Sequence, residues 1–67
     1  MKIDVRGLSC PEPVLMVMDA MDEAPEEVLT IISDAAHTRD NIVKLAYTEG
    51  RKVSVNENGK IYEIVIE

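Results

Sequence analysis

Two prolines flanking a single residue, Pro11-Glu12-Pro13, stand directly after the only cysteine of the chain, Cys10, and directly before an apolar-rich stretch. Proline has no N–H and a fixed φ, so two of them this close together fit neither a helix interior nor a paired strand. They do fit the first turn of a helix, whose leading N–H groups have no intrahelical acceptor. The segment therefore predicts a helix start, with Cys10 at the N-cap, Pro11 near N1 and Pro13 near N3. A sulfur atom there lies over the positive end of the helix dipole, which favours the thiolate. The carboxylate of Glu12 opposes this effect, and Arg6 offsets Glu12 if the loop turns it inward.

Around that corner the hydrophobic period changes several times. Lys2–Arg6 alternates, with Ile3 and Val5 on one side, as in a half-buried strand that Gly7 breaks. Val14, Val17, Met18 and Met21 follow the i, i+3, i+4, i+7 spacing of an amphipathic helix, with Glu12, Met16, Asp19 and Glu23 opposite. Pro25 ends it. Val28–Ile32 is a nearly continuous apolar run and predicts an interior strand. Ser33-Asp34 then supplies a helix start, with Asp34 read as the N-cap. The second helix is expected from Ala35 to Thr48, with Thr38, Ile42, Leu45, Ala46 and Glu49 on one stripe and Gly50 closing it. Val53–Val55, a turn over Asn56-Glu57-Asn58-Gly59, and Ile61–Ile66 predict a hairpin. The fold class is α/β. The order β-α-β-α-β-β predicts a two-layer sandwich of residues 1–67 as one domain, with two helices packed on one face of a four-stranded mixed sheet.

Composition narrows the function. With 67 residues, no Phe and no Trp, the core must be a modest aliphatic one. One cysteine forms no intrachain disulfide, and with a single histidine it is too small a set for a structural zinc site. No metal and no cofactor are expected, and the chain reads as a reduced, cytoplasmic protein. No apolar run reaches the ~18 residues that span a bilayer. The charge of −6 is concentrated: residues 7–38 hold seven acids and no Lys or Arg, while residues 39–67 balance five acids against five bases. Such a chain suits a basic protein surface better than a phosphate backbone, so no direct nucleic-acid binding and no membrane contact are expected.

The chemistry-bearing candidate is Cys10. A free cysteine is often a buried small hydrophobe, but Ser9 and Pro11 at a strand-to-helix corner favour an exposed one. Asp4-x-Arg6-Gly7-Leu8-x-Cys10-Pro11-Glu12-Pro13 resembles the signature of the TusA/SirA-like sulfur-carrier family, and the likeness runs over the whole chain. That family's second pattern, Asp-Pro-x-x-x-x-Asp, is matched at Asp34 and Asp40, with Ala35 in place of the proline. The resemblance implies a sulfurtransferase in which Cys10 takes sulfane sulfur as a persulfide from a cysteine desulfurase or another persulfide donor. It then passes the sulfur to a downstream thiol acceptor protein, in a relay such as that of tRNA thiolation. Arg6, Gly7, Pro11, Glu12, Pro13 and Arg39 are the supporting site residues on this reading. Two alternatives stand beside it: a non-catalytic redox-sensing or regulatory interaction module, and a selenium-handling variant of the carrier.

Overall fold

The computed structural model describes residues 1–67. Its elements are β1 (Lys2–Asp4), α1 (Glu12–Glu23), β2 (Leu29–Ser33), α2 (Ala36–Thr48), β3 (Val53–Asn58) and β4 (Ile61–Ile66). The strands form one mixed sheet in the order β1-β2-β4-β3. β1 runs parallel to β2, with Ile3 beside Ile31, and α1 is the crossover between them. β4 pairs antiparallel with both β2 and β3. Two helices against a four-stranded mixed sheet, in the expected order, is the architecture the periodicities predict. No helix is long and apolar enough to cross a membrane.

The period of two decides what the sheet buries. On β2, Leu29, Ile31 and Ser33 are buried under the helices, while Thr30 and Ile32 are half-buried on the open face. Ile64 and Ile66 of β4 stand opposite Ile31 and Leu29 and complete the sheet's share of the core. Val17, Ala20 and Met21 come down from α1, and Ile42 and Ala46 from α2. Burying each Leu, Ile or Val contributes about 1.5–3 kcal/mol, so these few side chains carry the fold.

Four local expectations are corrected. The buried stripe of α1 is Pro13, Val17, Ala20 and Met21; Met18 is 41% exposed and Val14 only half-buried. The helix is rolled so that Ala20 faces the core and Met18 faces out. The second strand begins at Leu29, because Val28 is exposed beyond the last pair of the ladder. α2 begins one residue later than expected, at Ala36, with Ala35 as N-cap and no side-chain cap. The hairpin is tighter than expected: β3 runs through Asn58, which pairs with Ile61, leaving only Gly59-Lys60 as the loop. Gly59 has φ +66 and no non-glycine residue has positive φ, as a type II′ turn with glycine in first place requires.

Candidate functional site at the β1–α1 corner

β1 and β2 are the parallel pair, and the loops that leave their carboxyl ends lie side by side, where α/β folds place their sites. After β1, the Val5 N–H donates to the Ile32 carbonyl at 2.9 Å, extending the pairing by one bond. Leu8 N–H then returns to the Val5 carbonyl at 3.3 Å, and Gly7 occupies the intervening bend at φ +77. The Gly7 N–H donates to Oδ1 of Asp34 at 3.4 Å. Asp34 thus ties the second loop to the first and is not the cap of α2. Ser33 takes the local role instead: its buried hydroxyl accepts from the Ala35 N–H and donates to the Ala35 carbonyl, each at 3.2 Å.

Ser9, Cys10, Pro11 and Glu12 form a turn closed by the Glu12 N–H on the Ser9 carbonyl at 3.0 Å. The Cys10–Pro11 peptide bond is cis. Pro11 is the N-cap of α1, and its carbonyl accepts the Leu15 N–H at 3.0 Å. Cys10 therefore stands one residue outside the cap, where the sequence placed it on the cap, and Pro13 is at N2 rather than N3. The Glu12 N–H is already committed to Ser9 and Pro13 has none, so Val14 is the one first-turn donor left free. The Cys10 thiol is free and exposed. Pro13 is buried in the first turn of α1, so the proline-stiffened turn that follows Cys10 is anchored on the core.

Of the two places open to Arg6 and Arg39, beside Cys10 or in surface salt bridges with Asp4 and Asp40, both side chains take the salt bridges. Arg6 grips Asp4 with two parallel bonds, Nε to Oδ1 at 3.0 Å and Nη2 to Oδ2 at 2.7 Å. Hydrogen bonding from Arg6 holds the Asp4 carboxyl down at about 2. The same bond raises Arg6 above its ordinary range. Arg39 pairs with Asp40 at 2.9 Å and lies over the Tyr62 ring, 4.6 Å from its centre. Glu12 is exposed at the corner. Asp34 is the residue that sequence reasoning undervalued. Ser33 and Asp34 are both residue types that cap helices, yet neither caps α2: Ser33 bonds Ala35 and Asp34 bonds Gly7.

A sandwich of this topology, carrying one free exposed cysteine on the turn that opens its first helix, is a SirA-like fold. The SirA-like protein from Desulfitobacterium hafniense superposes on it with a TM-score of 0.89, at 29% identity, over 97% of this chain and 92% of its own. All of residues 1–67 match the family described as Sulfurtransferase TusA, and the chain belongs to that family.

Proposed function

We propose that the protein is a cytoplasmic sulfur carrier whose working group is Cys10. The observation that carries this reading is the exposed, unpaired thiol raised on the proline-stiffened corner of a TusA-family chain. The Cys10 thiolate attacks the terminal sulfur of a donor persulfide, such as that of a cysteine desulfurase. A new S–S bond forms at Cys10, and the donor cysteine leaves as thiolate. A thiolate of the acceptor protein then attacks the outer sulfur of the Cys10 persulfide. Cys10 in turn is the leaving thiolate, and no external oxidant or reductant is consumed.

The lone cysteine suits this role. A second cysteine within reach would expel the carried sulfur by forming an internal disulfide. The carrier needs only access for the two partner thiols, which the exposed corner provides. Gly7, Pro11, Glu12 and Pro13 act by shaping the corner, while Arg6 and Arg39 reach Cys10 only if a docked partner releases them from Asp4 and Asp40.

Mass spectrometry tests the reading. Incubation with a cysteine desulfurase and cysteine should add one sulfur atom to the wild-type protein and none to Cys10→Ser. Wild-type protein that gains no sulfur from desulfurase or from glutathione persulfide would overturn it.

A further inference from the structure

The outer face of α1 carries apolar side chains with nothing above them. Leu15 is 51% exposed and Met18 41% exposed, and with Asp22 they follow i, i+3, i+7 spacing along one line. That line leads from the Cys10 corner, over a helix about 18 Å long, into a groove of about 280 Å³. The groove is lined by Met18, Met21, Asp22, Pro25, Glu49 and Arg51.

The groove's lining carries two carboxylates, Asp22 and Glu49, against one guanidinium, Arg51. Asp22 and Glu49 are exposed, and the chain's two ion pairs, Arg6–Asp4 and Arg39–Asp40, use neither. Arg51 is turned to the protein itself, with Nε on the Glu67 carbonyl at 2.7 Å and Nη2 on the Glu27 carbonyl at 3.1 Å. Glu23, Glu26 and Glu27 surround the same end, all exposed. Two methionines and a proline give the groove an apolar floor, and the carboxylates of Asp22, Glu49, Glu23, Glu26 and Glu27 outnumber the single Arg51, so the balance favours a basic, aliphatic occupant.

We propose that this groove docks a basic, aliphatic segment of a protein that exchanges sulfur with Cys10. An aliphatic side chain enters between Met18 and Pro25, and lysine or arginine side chains pair with Asp22 and Glu49. A partner seated there lies along α1 with its reach directed to the thiol. The acidic charge makes a second copy of this chain the wrong occupant, because like charges would face each other. The identity of the partner rests on the carrier reading, whereas the binding itself does not.

The test is therefore made on Cys10→Ser protein, which cannot carry sulfur, so that its outcome does not depend on the carrier reading. A short amphipathic peptide of leucine and lysine is titrated while the methionine methyl resonances are followed. Met18 and Met21 should shift and Met16, on the other flank of α1, should stay. Binding should weaken about tenfold when Asp22→Lys and Glu49→Lys are combined, and when salt is raised from about 50 to about 500 mM. The same peptide with glutamate for lysine should not bind. No binding of the lysine peptide, shifts spread evenly over the surface, or equal binding of both peptides would overturn the proposal.

Discussion

Oδ1 of Asp34 accepts the backbone N–H of Gly7 at 3.4 Å, joining two loops 27 residues apart in sequence. The bond fastens the bend that precedes Cys10 to the carboxyl end of the interior strand β2. Replacing Asp34 with Ala should cost only about 0.5 kcal/mol, because the bond is long and exposed. Its local effect is the sharper one. Amide exchange should quicken at Gly7 while the helicity of α2 is unchanged. A loss of α2 helicity would instead mean that Asp34 caps the helix.

Gly7 itself holds φ +77, and a Cβ added there would meet no atom within 4 Å. The cost of Gly7→Ala is therefore conformational alone, about 1–2 kcal/mol for forcing an L-residue into left-handed backbone. Urea unfolding measures it. A neutral substitution would show that the bend relaxes into another conformation.

Thr38 is 3% exposed on the core face of α2, and its Oγ1 has no hydrogen-bond partner. An unsatisfied buried hydroxyl is unfavourable, and valine keeps nearly the same shape without it. Thr38→Val should raise stability by about 1 kcal/mol in the same unfolding assay. A destabilised variant would reveal a partner for the hydroxyl.

Asp4 should titrate near 2, against an ordinary 3.8, because Arg6 hydrogen-bonds the ionised form. A depressed carboxyl stabilises the fold above its unfolded pKa, and that contribution is lost as pH falls through the folded value. The window is thus from about 4 down to about 2. Both groups are exposed, so the effect shrinks in salt. Carboxyl chemical shifts of Asp4 followed against pH should show the low midpoint in wild type. Arg6→Gln should raise it part of the way toward 3.8, because the backbone N–H of residue 6 still donates to Oδ1 at 3.0 Å; an unchanged midpoint would assign the shift to that backbone bond rather than to the guanidinium.

Much of this molecule can be read from its residues. Pro11 and Pro13 admit only a helix start, so the Cys10 corner follows from missing N–H groups and a fixed φ. Ile3 and Val5 declare their face through a period of two, the apolar run Val28–Ile32 declares an interior strand, and the placement of Gly59 next to Asn58 declares the hairpin. The roll of α1 was not legible in the same way. Val14, Leu15, Met16, Val17, Met18, Ala20 and Met21 place apolar side chains almost all round the helix, so several stripes satisfy the same spacing.

The sequence by itself determined the elements, their order and the single thiol, because those follow from backbone restrictions and periodicities carried by neighbouring residues. Only the tertiary structure decided that Met18 faces out and Ala20 in, and that Asp34 holds Gly7 rather than α2. Each of these is a choice between partners of similar local merit. The packing of α1 on the sheet and the adjacency of the β1 and β2 loops, which join residues far apart in the chain, make that choice.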